Sequence, residues 1–394
     1  MNTIQSGVLT LIRSAVTGES YPLPEAFTLA DAKELIHKQE IWSLIYLGAY
    51  NCGFTGETEI IQKLQKTYFR VMIQSQRQMK ALEQVLAAFR EHGIDHMPLK
   101  GTNLKELYPH PELRPMGDAD ILIRVEQYGQ IKPILEKLGF QEKEETQHEL
   151  TWHRQDLYLE LHKCLFAERL QEYHSYYGDG WKLAQSGEGC CYHLQPEDEF
   201  VYLFTHMAKH YRFTGIGIQH ILDLYIYRKA HPDMDESRIE QTMQRLYLLQ
   251  FYHNIMDFLA VWFDGREPDD KTELMLHHIL SGGSWGDKEN KFYSNQVKRL
   301  AQTGKRRVGK LAMILDSLFP SLERMQCRYR VLFHHKWLYP VFVVVRWMEI
   351  LLRRPKTLIH RLHKVNQVDD EKVELRRQTL EAVGLGFHFA GEEE

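Results

Sequence analysis

The sequence predicts an α+β fold: a small mixed β-sheet core with mostly α-helical additions on its N- and C-terminal sides. Apolar residues recur at three- and four-residue intervals over the first ninety residues and again beyond about residue 170, the period of amphipathic helices. Between them, short apolar runs alternate with period two or stop at glycine and aspartate, as strands do. The order strand, helix, strand, helix, hairpin in that middle window is satisfied by a mixed sheet with helices packed on it.

Taken in chain order, residues 1–90 form a helical region. "LADAKELIHKQEIWSLIYLGAY" and "IIQKLQKTYFRVMIQSQRQMKALEQVLAAFREHG" carry the helical period, and Gly93 closes the second run as a helix-ending glycine does. Residues 91–170 form the α/β core. "IDHMPL" reads as a strand, "GTNLKELY" as a short helix after a glycine, and "DADILIRV" as a second strand. "EQYGQIKPILEKLGF" has helical period with an interruption at Pro133, and "HELTWHR" and "LYLELHKCLF" alternate like a hairpin turning at Gln155-Asp156. Residues 171–280 return to helix. "EFVYLFTHMAKHYRF" and "IQHILDLYIYRKAH" are joined by the turn "TGIG", and "DESRIEQTMQRLYLLQFYHNIMDFLAVWF" follows, with Asp235 or Ser237 as its cap. Residues 281–394 open with the loop "SGGSWGDKENK", continue into a basic, aromatic helical region, and end in "AGEEE", which is expected to fray.

Bulk properties narrow the class. The chain has 394 residues, is 43% hydrophobic and 26% charged, and carries a formal charge of −4, an ordinary globular composition with no electrostatic reason for bulk nucleic-acid binding. Its five cysteines are odd in number and irregularly spaced, with no zinc-like pattern, which fits a reducing compartment. The first twenty residues lack the basic start and apolar core of a signal peptide, and no uncharged apolar run reaches about eighteen residues. A cytoplasmic protein is expected.

The chemistry centres on "RPMGDADILIRV". Aspartate is a poor strand former, yet Asp118 and Asp120 open an apolar strand and, at strand spacing, point to one face while Ala119, Ile121 and Ile123 point to the other. Two carboxylates so placed repel each other unless a cation lies between them, and magnesium suits carboxylate oxygens supplemented by water and phosphate. Upstream, a strand ends at Lys100-Gly101 and a helix starts near Thr102. Gly101 allows close backbone approach, first-turn amides attract anions, Thr102 adds a hydroxyl and Lys100 a charge, which together make a cradle for phosphates. It is not the P-loop, because that glycine-lysine pattern is absent. Downstream, Glu160 alternates with Leu159 and Leu161, so Tyr158, Glu160 and His162 share a face. Asp118, Asp120 and Glu160 on neighbouring strands are the expected ligands of two Mg²⁺ ions about 3.5–4 Å apart, bracketing an in-line displacement at phosphorus, with Glu160 acting on the attacking hydroxyl.

A strand-ending glycine and hydroxyl residue, then D-x-D before an apolar strand, then a later strand acid resembles the layout of the nucleotidyltransferase superfamily related to DNA polymerase beta. More closely, "PLKGTNLKELYPHPELRPMGDADILI", "YLELHK" and "LFPSLERM…KWLYPVFVVVRWMEILLRR" resemble the family of uncharacterised nucleotidyltransferases found in bacteria. The resemblance runs from about residue 30 to 355, with Lys100, Gly101, Arg114, Asp118, Asp120 and Glu160 as its motif core. It implies transfer of a nucleoside monophosphate, AMP from ATP or another NTP, onto an unidentified hydroxyl acceptor: a small molecule, peptide, protein or RNA end. Thr102 stands where the superfamily has serine, "PHPELRP" lengthens the path from Gly101 to Asp118, and Gln219-His220 stand where relatives commonly carry arginine.

Other features have plainer readings beside sharper ones. Arg114 precedes Pro115 in an extended loop, from which it can cover a nucleotide or simply be solvated. Lys209 reaches a triphosphate from a neighbouring helix or is surface charge. His206 and His210 have the spacing of a zinc pair but lack the glutamate of H-E-x-x-H, and the chain's 21 histidines read mainly as core or surface residues. "GGSWG" is not a G-x-S-x-G elbow. From Arg328 to Lys364 there are nine Lys or Arg and one acid, Glu349, around the apolar run Trp337–Leu352. That run docks on the protein's own core or, with the segment 337–364, on a partner or an anionic membrane surface. A non-catalytic module that binds nucleotide, partner or membrane through the same fold is the alternative to the enzyme.

Overall fold

The computed structural model describes residues 1–394 except 147, 169, 285, 287, 304–317, 327, 330, 354–369 and 388–394. The chain begins with α1 (Thr3–Thr17), capped by an Asn2–Gln5 capping box that satisfies two first-turn donors. Next come α2 (Leu29–Gln39), α3 (Trp42–Asn51) and the long α4 (Thr58–Glu91). The core then runs β1 (His96–Leu99), α5 (Gly101–Leu104), β2 (Ala119–Ile123), α6 (Tyr128–Lys137), β3 (Gln141–Glu145), β4 (Glu149–Arg154) and β5 (Leu157–His162). A short α7 (Gln171–Tyr177) and a two-stranded hairpin, β6 (Ala184–Ser186) and β7 (Tyr192–Leu194), follow. Helices α8 (Pro196–Phe213), α9 (Ile218–Ala230), α10 (Glu236–Arg245), α11 (Leu249–Phe263), α12 (Asp270–Ser281) and α13 (Lys288–Thr303) make the second helical layer. The described C-terminal helices are α14 (Leu322–Gln326), α15 (Val331–His334), α16 (Tyr339–Arg353) and α17 (Asp370–Ala382).

The expected α+β architecture is present: a five-stranded mixed sheet in the order β1-β2-β5-β4-β3, flanked by helices. Only β2 and β5 pair in parallel; the other neighbours are antiparallel. One face of the sheet presents Ala119, Ile121, Ile123, Leu157, Leu159 and Leu161 to α4 and α6. The opposite face joins the main core, where Met97, Leu99 and Leu122 meet residues of α1, α3, α8, α9 and α11. Gln39, fully buried, ties α2 to that layer: its Nε2 donates to the Ile279 and Gly282 carbonyls and its Oε1 accepts from the Ile218 amide.

Several boundaries differ from the expectation. The run from Leu29 to Tyr50 is two helices, because Glu40 adopts a left-handed conformation (φ 55°) that ends α2. The run after Asp235 is likewise two, broken at Tyr247 (φ 55°), while Asp235 caps α10 by accepting from the Arg238 amide. Pro133 does not interrupt α6; it removes one donor and the helix passes through. The loop after Ser281 is shorter than expected, since α13 starts at Lys288. Strand β3, "QEKEE", was not anticipated: it is a charged edge strand with a bulge between Glu142 and Glu144, devices that discourage edge pairing with another chain.

Helices α14–α16 pack around their own small cluster of Met325, Leu332 and Val343. The opposite side of α16 and its leading turn exposes Trp337, Val341, Val344 and Met348, spaced four, three and four residues apart, a single helical stripe. Glu349, the one acid of that stretch, is taken by Arg328 and the Tyr329 hydroxyl. The expected frayed end and the basic residues 354–364 lie outside the described residues. No helix among the described residues is long and apolar enough to cross a membrane, and Cys52, Cys164, Cys190 and Cys191 are free thiols.

Candidate active site

The site forms where β1, β2 and β5 lie side by side. Antiparallel pairing sets Leu99 opposite Asp120, so Lys100 emerges beside that carboxylate, and parallel pairing sets Asp120 opposite Glu160. The alternation that sends Ile121 into the α4/α6 core turns Asp120 to the other face, with Glu160 and His162 of β5. Asp118 stands in the loop one residue ahead of β2 rather than on the strand, and its charge still acts on Glu160.

Asp120 is the electrostatic centre. Its Oδ1 accepts from Lys100 Nζ at 3.0 Å and from His162 Nε2 at 2.7 Å, and all three side chains are nearly buried. Burial would raise the Asp120 carboxyl, but the Lys100 and His162 contacts prevail and hold it well below the carboxylate range. Burial would lower the Lys100 ammonium, and the Asp120 charge outweighs it, so Lys100 stays firmly protonated. Lys100 itself has φ 48°, a left-handed backbone unusual for a residue with a side chain, at the junction of strand and turn. Asp118 and Glu160 go the other way: burial first, then neighbouring carboxylates, push both upward. Glu149, opposite His162 on β4, adds to the acidic field and is paired with His148 at 2.9 Å.

The expected phosphate cradle is a single α-turn, too short to carry much of a helix dipole, so its anion-binding capacity rests on the first-turn amides of Gly101 and Thr102. Thr102 Oγ1 points back to the Asp120 carbonyl at 3.4 Å, which fastens the turn to β2. Arg114 crosses directly beneath Gly101: a Cβ there would lie 2.4 Å from its Nη1. Its other nitrogens grip Asp223 of α9 in a fork, Nε to Oδ1 at 2.8 Å and Nη2 to Oδ2 at 2.9 Å. Arg114 is therefore half-buried and held by a carboxylate instead of standing in an open loop. Tyr108 and Gln219 complete this knot by bonding Asp223 and each other.

Lys209 lies on α8 among His206, His210 and His220, whose pKa values burial lowers first and the Lys209 charge lowers further; Lys100 also acts on His206. His206 and His210 place their Nε2 atoms 3.3 Å apart. Among the described residues, the grouping that brings three potential ligands together is Asp120, Glu160 and His162, whose ligand atoms lie within 4.8 Å of one another, and it includes neither of the α8 histidines. Of the expected triad, Asp120 and Glu160 belong to this grouping and Asp118 does not; His162 takes the third place, although its period-two spacing from Glu160 was visible. The donor set fits a divalent cation: Glu160, pushed upward by burial and by the neighbouring carboxylates, is relieved by a positive ion, and the ligand atoms already lie close together.

A family model described as an uncharacterised nucleotidyltransferase matches residues 29–264, from the first residue of α2 to the end of α11. No curated protein and no solved structure matches the chain. The matched span covers more than half of the sequence and contains the whole mixed sheet, the acidic cluster and the Arg114–Asp223 knot, and so the chain belongs to the uncharacterised nucleotidyltransferase family.

Proposed function

We propose that this protein is a divalent-cation-dependent nucleotidyltransferase that moves AMP from ATP onto a hydroxyl of an acceptor still to be identified, releasing pyrophosphate. The observation that carries the reading is the apposition of Asp120 on β2 and Glu160 on β5, with Asp118 in the loop before β2, and with Asp118 and Glu160 pushed up by burial and by the Asp120 charge. Two Mg²⁺ ions on these carboxylates would supply the positive charge that an in-line displacement at phosphorus needs. The first-turn amides of Gly101 and Thr102 receive the phosphates, and Lys100, Arg114 and Lys209 provide positive charge around them. Glu160, ionised beside the cations, takes the proton of the acceptor hydroxyl as the hydroxyl oxygen bonds the α-phosphorus and the bond from that phosphorus to the oxygen bridging the β-phosphate breaks.

The deciding experiment uses labelled ATP with a panel of hydroxyl acceptors. Asp118→Ala should abolish transfer while leaving the melting temperature nearly unchanged, because Asp118 lies in a loop and outside the buried Lys100–Asp120 pair. Undiminished transfer in that variant sinks the assignment. ATP binding without pyrophosphate release in the wild type would favour the non-catalytic module.

A specific observation favours an added docking role for the C-terminal unit. The exposed stripe Trp337, Val341, Val344 and Met348 adjoins the exposed Lys336, with Glu349 already paired, a pattern suited to an anionic lipid surface. Sedimentation with phosphatidylserine vesicles should fall at least tenfold in Trp337→Ser/Val344→Ser. Equal sedimentation of wild type and variant would remove this role.

A further inference from the structure

We infer that His162 is a nitrogen ligand of the cation held by Asp120 and Glu160, and that the site consequently selects a first-row transition ion, manganese, over magnesium. The inference rests on the cation-dependent reading proposed above and names the metal that it leaves as magnesium.

The placement is dictated by β5. Leu157, Leu159 and Leu161 alternate into the α4/α6 core, so Glu160 and His162 must emerge together on the cluster face. His162 is 4% exposed, and its Nε2 sits between two carboxylate oxygens, 2.7 Å from Asp120 Oδ1 and 3.8 Å from Glu160 Oε2. A histidine that merely oriented Asp120 would hold one oxygen from behind. Here the nitrogen stands among the ligand oxygens, all within 4.8 Å of one another. Lys100 Nζ shares the same Asp120 oxygen at 3.0 Å, so Oδ1 already attracts two N–H donors within the cluster.

The ring's hydrogen bonding leaves a change of tautomer open. A carboxylate only accepts, so the contact with Asp120 requires the proton on Nε2, which leaves Nδ1 bare. Nδ1 is buried and has no hydrogen-bond partner, so nothing on that side fixes this tautomer. When a cation takes the Nε2 lone pair, the ring proton moves to Nδ1 and no charge is gained or lost by the ring. Chemically, one imidazole among carboxylates makes a mixed nitrogen–oxygen set. Magnesium prefers an all-oxygen shell and keeps its waters, whereas first-row transition ions accept imidazole, and manganese among them also suits carboxylate.

The test uses the full-length protein stripped of metal and titrated with Mn²⁺ alone, read by electron paramagnetic resonance. Pulsed spectra of the wild type should carry the ¹⁴N modulation of a coordinated imidazole. His162→Gln should lose that modulation and bind Mn²⁺ at least tenfold more weakly, with Mg²⁺ affinity, measured by competition, changing less than about threefold. His206→Gln/His210→Gln should keep the modulation, which separates β5 from the α8 histidines and supplies a readout should His162→Gln fail to fold. Bound Mn²⁺ without ¹⁴N modulation in the wild type overturns the inference, as does modulation persisting in a folded His162→Gln or lost in the α8 double variant. Those outcomes leave the carboxylate site standing. Mn²⁺ and Mg²⁺ binding undiminished in Asp118→Asn/Glu160→Gln would instead overturn the reading beneath it.

Discussion

Gly101 and Arg114 act as one unit at the residue scale. The guanidinium is locked to Asp223 by two parallel bonds, and its third nitrogen fills the space a Cβ on residue 101 would need. Arg114 cannot withdraw without giving up part of the fork, and Asp223 also serves Tyr108 and Gln219. Gly101→Ala should therefore destabilise the protein by about 1–3 kcal/mol in urea melts, the range of overpacking a filled site. In an Arg114→Ala background the same change should cost far less, and equal costs in the two backgrounds would refute the coupling. How much of this was readable from sequence differs by residue. Asp118, expected on the strand, lies one residue ahead of it, whereas Asp120 and Glu160 were legible as candidates because strand alternation makes an acid among apolar residues conspicuous. Asp223 was not, since it meets Arg114 across 109 positions and a lone aspartate in an amphipathic helix carries no trace of its partner.

At the scale of elements, periodicity located nearly every long helix, and the failures have physical causes. Glu40 and Tyr247 break helices in left-handed conformations without the glycine or proline that normally marks a break. "QEKEE" becomes a strand because β4 offers it an edge, although it lacks the β-branched and aromatic residues by which strands are recognised. The docking of α17 was equally unreadable. Arg376 is buried, and its guanidinium donates to the Tyr211 and Arg212 carbonyls, Ser294 Oγ and His278 Nε2, all neutral acceptors. Burial, unopposed by a carboxylate, lowers its pKa to about 10. Arg376→Ala strands acceptors from three helices and should cost roughly 3 kcal/mol, with faster hydrogen exchange across residues 370–387 than elsewhere. Unchanged exchange in that segment would mean that α17 is held by its apolar contacts alone.

For the whole molecule, the distribution of histidine matters more than net charge. His96, His162, His206, His210, His220 and His278 are all lowered, burial being the first cause in every case. A base with a depressed folded pKa binds its proton more readily once unfolded, so the stability it confers is complete above the unfolded value of about 6.5 and drains as pH falls. His278, at about 4 through burial, the Arg376 charge and His277, loses its share between about pH 6.5 and 4, roughly 3 kcal/mol by linkage. Urea melts at pH 7 and pH 5 should show lower stability at pH 5, and His278→Gln should shrink the gap. A gap of the same size in the variant would assign the acid sensitivity to the other histidines.

The parallel pairing of β2 with β5 has a consequence for how the chain folds. β3, β4 and β5 close through local turns, whereas β2 meets β5 only after the chain has passed through α6, β3 and β4, so this pairing bears the larger loop-closure cost. A slip of one residue would drive Asp120 into the hydrocarbon between the sheet and α4, and turn Ile121 out among the acids. The two strands can therefore join in the native alignment or scarcely at all. The alternation of apolar residues sets the alignment, and every molecule that completes the sheet leaves folding with Asp120 and Glu160 already opposed.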